Sequence, residues 1–561
     1  MAQTHRPDDD GDALARHERR VVALRAALAT PGEPAPLRLD THVSTVLVTA
    51  RIALKLKRPA VLPFVDLRAL AVRRALCVDE VRLNRRLAPS IYLGVVPALG
   101  GPDAATPGPA WAVDDGTPEP DWPPGAELAV RMRAFDQAGL WSNRVAAGAV
   151  SQDEARALGA TIGAFHRDRA TRLPGSRHGT AAAFRARALD NFDTLGALLG
   201  ATHRDRLARL RRDADARHAR LAGLRDARDR SGFVRDGHGD LHLGNVVTVD
   251  GAAVPFDCLE FDVALRAADV ADEVAFATMD LRHAARPDLA AALLDGWLQE
   301  TGDFDAVALL DDGEAYRATV RAKVAALDAV RDPRGDGAAR CDAYLRTAQA
   351  SGARAPPVLV AMHGLSGSGK SVVSAVLAAE LGAVRLRSDV ERKRLRGLAP
   401  GSRAGAHGAM YAAAAREAVY ARLAQLAMRL LATWRAVVVD ASFLDAAQRR
   451  AFASIAADAS ADFVVVDVRA PIDVLRARVA TRSGLGADPS DADLAVLDAQ
   501  HRDYVPPGAD EAARTLRWDA TAAPTRDAVR AAWRAHRAAS RAPADAPRSP
   551  PDASRHAGDT R

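Results

Sequence analysis

The sequence predicts an α+β domain of two lobes, followed by an α/β domain with a mainly parallel sheet. The chain has 561 residues, which is more than one compact core usually contains. Residues 238–245 read HGDLHLGN within a strand-rich segment, and residues 364–371 read GLSGSGKS after the apolar stretch VLVAMH. The two motifs differ in pattern and lie far apart in the chain, so we expect one domain around each of them.

Changes in composition suggest where these domains begin and end. We expect a flexible N-terminus over 1–30, a first domain over 31–349, a linker over 350–357, a second domain over 358–540 and a disordered tail over 541–561. The linker reads ASGARAPP, and the tail is rich in Pro and Asp but poor in apolar residues.

The composition excludes several classes of protein. Hydrophobic residues make up 48% of the chain and charged residues 26%, as in ordinary globular proteins. A net charge of +6 is weak for this length, so a nucleic-acid partner is not expected. Three scattered cysteines fit a reducing compartment, and no long apolar run predicts a spanning helix. We therefore expect a cytoplasmic protein without a membrane partner, and the oligomeric state stays open.

The first lobe is predicted from strand and helix patterns before residue 135. Residues 43–58 read as two strands joined by a tight turn, and alternation places Lys55 and Lys57 on the same side of the second strand. Residues 66–87 read as a helix that carries Glu80 on a packed face. Only five residues of the chain are lysines, so each of them is a candidate for function.

Residues 238–257 combine a polar motif with a hairpin. His238, Asp240 and Asn245 keep the H-x-D-x-x-x-x-N spacing of a kinase-type catalytic loop. The stretches NVVTV, DG and AAVPF predict a strand, a turn and a second strand that ends at Asp257. Asp240 is the predicted residue that orients an acceptor hydroxyl, and Asn245 and Asp257 are the predicted Mg²⁺ ligands around a triphosphate.

Residues of about 35–345 resemble the aminoglycoside phosphotransferase branch of the kinase fold. The resemblance implies a bilobal kinase-like fold in which Lys55 binds ATP phosphates and pairs with Glu80. The triplet His238-Gly239-Asp240 stands where protein kinases have His-Arg-Asp, and Asp257-Cys258-Leu259 stands where they have Asp-Phe-Gly. No G-x-G-x-x-G precedes Lys55. An antibiotic substrate does not follow from the resemblance.

Residues 364–371 fit the phosphate-binding pattern G-x-x-x-x-G-K-[ST] without deviation. Glycines let successive N–H groups face phosphate oxygens, lysine neutralises the β- and γ-phosphates, and the serine hydroxyl binds Mg²⁺. ATP and Mg²⁺ are therefore the predicted cofactors. The predicted nucleotide-binding residues are Gly364, Gly367, Ser368, Gly369, Lys370 and Ser371.

Three carboxylates follow strands of the second domain. Asp440 ends the strand VVVD and is the predicted Mg²⁺ ligand beside Ser371, because a loop follows it. Asp467 ends a second VVVD strand and stays the alternative ligand. Asp389 follows the strand of VRLRSD and is predicted to take a proton from the acceptor hydroxyl, although it could equally cap a helix.

The stretch LRARVATRSGLG carries a cluster of arginines before a loop. Arg476 and Arg482 are the predicted catalytic members of a lid that meets the transferring phosphate, with Arg478 between them. A solvated basic helix explains the same pattern equally well.

The second half, over about 355–540, resembles the small-molecule P-loop kinases, a group that includes gluconate-type kinases, polynucleotide 5′-kinases and zeta-toxin-like proteins. The order of the halves, with VRLNRRLAPSIYL and FDCLEFD, resembles bacterial two-domain proteins that join an aminoglycoside phosphotransferase-like domain to a P-loop domain. The resemblance implies two domains that transfer the γ-phosphate of ATP to a hydroxyl of a small molecule. Two alternatives stay open: a P-loop kinase with a non-catalytic sensor domain, and a polynucleotide 5′-hydroxyl kinase. The latter is less favoured, because no basic and aromatic cluster occurs.

Overall fold

Two large sheets of different kinds organise the chain. The computed structural model describes residues 7–41, 43–62, 65–113, 118–353, 355–402, 413–485 and 492–540. Contacts divide the chain into two units: unit 1 comprises Met1–Val150, Phe165–Asp190 and Asp215–Asp280, and unit 2 comprises Ser151–Ala164, Asn191–Ala214 and Leu281–Arg561. The domain boundary at residue 349 stays a prediction.

The sheet of unit 1 has six antiparallel strands in the order β1-β2-β3-β8-β6-β7. The predicted pair of strands in 43–58 is present as β2 and β3, and the predicted helix is present as α2. The elements up to residue 133 are α1 (Pro7–Ala27), β1 (Leu37–Asp40), β2 (Ser44–Val48), β3 (Ile52–Lys57), β4 (Val61–Leu62), β5 (Val65–Asp66), α2 (Leu70–Asn84), β6 (Tyr92–Leu99), β7 (Thr106–Pro107) and β8 (Glu127–Arg133).

The N-terminal segment differs from the expectation of a flexible start. Residues 7–27 form α1, in which Val21 and Leu24 are fully buried and pack with Leu54 and Leu56 of β3. Val21, Leu24 and Leu28 recur at helical spacing and form a narrow apolar stripe. Burial of this stripe against the sheet outweighs the polar character of the remaining helix.

A helical region with short strands follows. Its elements are α3 (Trp141–Ala146), α4 (Gln152–Asp168), β9 (Thr171–Arg172), α5 (Ala181–Leu199), α6 (Arg204–Arg230), β10 (Val234–Asp236), β11 (Val246–Val249), β12 (Ala252–Pro255), α7 (Val263–Arg266), β13 (Ala267–Asp269) and α8 (Val270–His283). The predicted hairpin is present as the antiparallel pair β11 and β12. Asp250 and Gly251 turn between them with positive φ, as a tight hairpin turn requires.

Unit 2 contains a five-stranded parallel sheet in the order β15-β16-β14-β17-β18. All six residues of the central strand β14 are buried, which explains its continuous apolar sequence. The elements are α9 (Pro287–Thr301), α10 (Leu310–Arg331), α11 (Gly337–Ala350), β14 (Val358–His363), α12 (Lys370–Leu381), β15 (Val384–Arg387), α13 (Ser388–Arg394), α14 (Ala413–Ala432), β16 (Val437–Asp440), α15 (Ala446–Asp458), β17 (Asp462–Arg469), α16 (Ile472–Leu485), α17 (Leu494–Arg502), β18 (Thr515–Asp519) and α18 (Arg526–Ser540).

The predicted fold class is confirmed: an antiparallel sheet with a helical region is followed by an α/β fold with a parallel sheet. Within the described part of the chain, no helix combines the length and the apolar character needed to cross a membrane. The predicted tail over 541–561 lies outside the described residues.

Candidate active sites

Lys55 lies between two carboxylates in unit 1. Its Nζ atom is 2.8 Å from Oε1 of Glu80 on α2 and 2.5 Å from Oδ1 of Asp257 after β12. The expected ion pair of Lys55 with Glu80 is therefore present, and the hairpin end joins it. Burial favours loss of the proton, but Asp257 and Glu80 raise the pKa of Lys55 well above its ordinary value, so the ammonium stays charged.

A second lysine, which the sequence did not single out for this role, completes the network. Lys57 Nζ is 2.5 Å from Oε2 of Glu80 and also pairs with Glu260. Each oxygen of the fully buried Glu80 thus holds one lysine. Burial raises the pKa of Glu260 and outweighs the attraction of Lys57. The chain has only five lysines, and two of them lie on one side of the same strand. This was the sequence signal that could have predicted a shared carboxylate partner.

Residues 238–245 form a turn that is hydrogen-bonded to the end of the hairpin. The Asn245 side-chain amide donates to the backbone oxygen of Asp240 at 2.9 Å and to its Oδ2 at 3.1 Å. His238 Nε2 donates to the carbonyl oxygen of Phe256 at 2.9 Å, so Nδ1 can accept from the Asp240 N–H at 3.3 Å. Burial lowers the pKa of His238, which keeps its ring neutral. His238 therefore braces the turn.

A buried carboxylate beneath this turn has no counterpart in the sequence motif. Glu273 on α8 accepts hydrogen bonds from the backbone N–H groups of His238 and Gly239 and from His166 Nε2 at 3.1 Å. A Cβ atom on Gly237 would lie 1.9 Å from Oε2 of Glu273, so glycine is required there. Burial opposes ionisation, but the hydrogen bond from His166 and the charges nearby lower the pKa of Glu273 to about 2.

Asp257 stands in a strained backbone conformation, with φ of 61°. Its N–H donates to Tyr92 Oη at 3.1 Å, and the N–H of the adjacent Phe256 donates to the Asn245 carbonyl oxygen at 2.9 Å. Burial alone would raise the pKa of Asp257, yet Lys55 and Lys57 hold it below its ordinary value. An ionised carboxylate and an amide joined through one hairpin are donors that suit Mg²⁺.

The backbone of 364–371 is shaped by glycines. Gly364 has φ of 142°, and a Cβ atom there would lie 2.4 Å from the carbonyl oxygen of Val468. Gly369 has φ of 87° but faces open space, so only its conformation favours glycine. The buried Oγ of Ser368 has no hydrogen-bond partner within the described part of the chain. A loop with an unsatisfied buried hydroxyl suits a phosphate group that supplies further oxygens.

A cavity of about 640 Å³ adjoins this loop. Predicted residues that line it are Gly367, Gly369, Lys370, Ser371, Asp389 and Asp440. Gly364 and Ser368 are not among the residues that line it. Lys370 Nζ donates to the Leu365 carbonyl oxygen at 2.7 Å, and Asp389 accepts from Arg392 at 2.6 Å.

One of the predicted lid arginines, Arg476, does not line this cavity. Arg476 is half exposed and donates to Asp498 at 2.8 Å, outside the lining. The backbone of Arg482 lies in α16, but its side chain lies outside the described part of the chain. Arg478, the middle arginine of the predicted lid cluster, lines the cavity. Arg392 and Arg416, which the sequence analysis did not single out, line it as well.

The two rival carboxylates have different surroundings. Asp440 lines the cavity, and its buried Oδ2 accepts no hydrogen bond from the described residues, although Arg387 and Arg385 lie 3.6 Å and 3.9 Å from it. Asp467 is fully buried, pairs with His363 Nδ1 at 2.8 Å through Oδ1, and accepts from Arg469 at 2.5 Å through Oδ2. Asp440 therefore fits a cation site better, because both oxygens of Asp467 are already in use.

Three comparisons place the chain among known proteins. A family model described as an AAA domain (AAA_33) matches residues 359–507. Among solved structures, the chain is similar to a gluconokinase from Sinorhizobium meliloti 1021, at 24% identity and a TM-score of 0.24, over 33% of this chain and 94% of that one. It is also similar to a choline/ethanolamine kinase family protein from Mesorhizobium loti, at 13% identity and a TM-score of 0.37, over 60% of this chain and 94% of that one.

Sequence relatives cover most of the chain. They are "Uncharacterized protein Rv2004c" and "Uncharacterized protein MT2060" of Mycobacterium tuberculosis, and "Uncharacterized protein Mb2027c" of Mycobacterium bovis. Each is 30% identical over 470 residues, which are 83% of this chain and 90% of the relative. With this identity and coverage, the chain belongs to the family of these mycobacterial proteins, and the segment that the AAA domain model matches contains the phosphate-binding loop.

Proposed function

We propose that the protein is an ATP- and Mg²⁺-dependent phosphotransferase with two nucleotide-binding domains, each of which transfers the γ-phosphate to a hydroxyl of a small molecule. The observation that carries the proposal is the cavity beside the phosphate-binding loop, where Lys370, Ser371, Asp389 and Asp440 face one volume of about 640 Å³. Pockets for small ligands typically enclose ~300–1,000 Å³. A donor phosphate and an acceptor hydroxyl can therefore lie side by side in it.

In unit 2, the loop backbone and Lys370 bind the triphosphate of ATP. Ser371 and Asp440 hold Mg²⁺, which neutralises charge on the phosphates when it is bound. Asp389 accepts a hydrogen bond from the acceptor hydroxyl and takes its proton as the oxygen bonds to the γ-phosphorus. The bond from the γ-phosphorus to the β–γ bridging oxygen breaks in the same step, and ADP leaves. Arg478 lines the cavity and donates to the carbonyl oxygens of Ala520 and Thr521, and we assign it the role of the lid arginine that stabilises the transferring phosphate.

In unit 1, Lys55 binds the phosphates of a second ATP and is held in place by Glu80. Asp240 orients the acceptor hydroxyl, and Asn245 and Asp257 hold Mg²⁺. The neutral ring of His238 and the carboxylate of Glu273 fix the backbone around Asp240, so the carboxylate is positioned before a substrate arrives.

Calorimetric titration of the full chain with a non-hydrolysable ATP analogue and Mg²⁺ tests the proposal. We expect two binding sites in the parent protein, of which Lys370→Ala removes one and Asp257→Asn removes the other. Asparagine is chosen at residue 257 because it tolerates positive φ. Lys323→Ala and Asp250→Asn are matched controls, and Asp250 also has positive φ within the same hairpin.

The number of sites decides the outcome. A single site that is lost only in Lys370→Ala would show that unit 1 does not bind nucleotide as proposed, and would favour a sensor role for it. A parent protein that does not bind the analogue at all would refute the proposal for both units.

A further inference from the structure

Arg385 on β15 is a buried cation beside the phosphate-binding loop that no sequence motif marks. Its side chain is 4% exposed. Nη1 donates to the backbone oxygen of Ser371 at 3.0 Å and lies 3.9 Å from Oδ2 of Asp440. Arg385 therefore touches the two residues that are proposed to hold Mg²⁺.

The charge of Arg385 is balanced from α9, also within unit 2. Asp295 accepts from Arg385 Nε at 3.2 Å and from Nη2 at 2.7 Å, so the pair is bidentate. The carboxylate is 5% exposed and also accepts from Arg156 Nε at 3.0 Å. One turn later, the side-chain amide of Gln299 donates to the backbone oxygen of Arg385 at 2.9 Å. Both the side chain and the backbone of Arg385 are thus held by one helix.

This arrangement matters for Asp440. A buried guanidinium requires a carboxylate partner, and Asp295 supplies one with good geometry. Oδ2 of Asp440 accepts no hydrogen bond from the described residues, although Arg387 Nε lies 3.6 Å and Arg385 Nη1 lies 3.9 Å from it. Among the described residues, Asp295 and Asp440 are the carboxylates beside Arg385. If Asp295 lost its charge, Asp440 would therefore be the carboxylate left to pair with Arg385.

We infer that Asp295 is a positioning residue for the P-loop site, which keeps Asp440 available to Mg²⁺ by binding Arg385. The inference rests on the proposed function of unit 2. Without the Asp295 carboxylate, Arg385 turns to Asp440, and the resulting ion pair competes with Mg²⁺. The site then extends to residue 295, far outside the 359–507 segment that the family model matches.

The test uses Asp295→Asn in the full chain, because asparagine keeps the shape and removes the charge. Binding of a non-hydrolysable ATP analogue is measured by calorimetry over a series of Mg²⁺ concentrations. We expect the half-saturating Mg²⁺ concentration to rise ~10-fold, as for residues that orient metal ligands. Affinity for the analogue without Mg²⁺ should change less than about twofold, since the loop and Lys370 are untouched.

Two further variants separate positioning from general stability. Glu380→Gln removes the ion pairs of Glu380 with Arg530 and Arg534 and should leave the Mg²⁺ dependence unchanged. The double variant Asp295→Asn with Arg385→Met removes the competing cation, so its Mg²⁺ dependence should return towards that of the parent protein. If the single variant does not fold, the double variant carries the test, because neither buried charge remains.

Three results would overturn the inference. One is a folded Asp295→Asn protein with the Mg²⁺ dependence of the parent, and another is a double variant that is shifted as far as the single one. In both cases Asp295 is only a structural brace, and the proposed function stands. The third is a Lys370→Ala protein that binds the analogue as the parent protein does. That result would overturn the proposed function of unit 2 and this inference together.

Discussion

The two candidate sites are built in opposite ways. In unit 1, side chains that are distant in sequence meet through charge: Lys55 and Asp257 are 202 residues apart, and Lys57 and Glu260 are 203 residues apart. In unit 2, the phosphate-binding loop consists of eight consecutive residues, and positive φ values at Gly364, Gly367 and Gly369 set the course of its backbone. The comparison teaches that the first site depends on compensated buried charges, whereas the second depends on backbone shape.

The largest effect should follow from breaking the charge network of unit 1. Glu80→Gln leaves two lysines, Lys55 and Lys57, whose side chains are 10% and 1% exposed, with one carboxylate fewer. We expect a loss of about 3–5 kcal/mol in the unfolding free energy of unit 1, the usual effect of breaking a buried pair. Differential scanning calorimetry of the full chain should show a lower melting transition for unit 1 and an unchanged one for unit 2.

Asp250→Asn is the control for this variant, because its ion pair with Arg133 lies on the surface. It should not shift either transition measurably. A Glu80→Gln protein that melts like the parent protein would show that the network positions Lys55 without stabilising the unit.

The next effect concerns pH and the buried carboxylate of Glu273, which accepts hydrogen bonds from the turn of residues 238–245. Since the pKa of Glu273 falls from 4.5 to about 2 on folding, its ionised form stabilises unit 1 by about 3 kcal/mol. This contribution is complete above the unfolded value and is lost as pH falls from about 4.5 through about 2. Glu273→Gln should therefore lower stability at pH 7 but cost progressively less in acid.

Unfolding free energies of the parent protein and Glu273→Gln, measured in urea from pH 7 down to pH 3, check this expectation. A difference between the two proteins that stayed constant across this range would contradict it. The same measurement also distinguishes the two sites. The phosphate-binding loop of unit 2 contains no carboxylate, so it contributes no such pH dependence to stability.

The smallest difference should separate two glycines of the loop. Gly364→Ala introduces both strain and a contact of 2.4 Å with the Val468 carbonyl oxygen, and should cost about 3 kcal/mol. Gly369→Ala introduces strain without a contact and should cost about 1 kcal/mol. Thermal melting of unit 2 measures both, and equal losses would show that conformation, not close packing, determines the need for glycine.

The sequence predicted most of the architecture because its signals are local. Alternation revealed β2 and β3, and the glycine pattern located the phosphate-binding loop. Lys55 and Glu80 were found because a known kinase-type order guided the search. The functional roles of these residues stay predictions.

Charge partners were harder to predict, because they depend on packing between distant elements. Nothing near Glu273 or Asp295 in the sequence indicates which cation or N–H group each will meet. Of the predicted lid arginines, Arg476 does not line the cavity, and the side chain of Arg482 lies outside the described part of the chain. Arg476 and Arg478 are two residues apart, hence about 200° apart around a helix, so both cannot face one cavity. Only the fold shows that Arg478 is the one that does.

The central position of β14 has a consequence for how the protein is made. β14 pairs with β16, where Leu359 lies opposite Val437, and with β17, where Val358 lies opposite Asp462. Both partner strands lie much later in the chain, so β14 and its phosphate-binding loop leave the ribosome well before either of them. Pairing between strands so distant in the chain is slow. The carbonyl group that packs against Gly364 belongs to Val468, at the far end of β17. We therefore expect the loop, although it is the most local feature of the sequence, to be among the last parts of unit 2 to acquire its shape during synthesis.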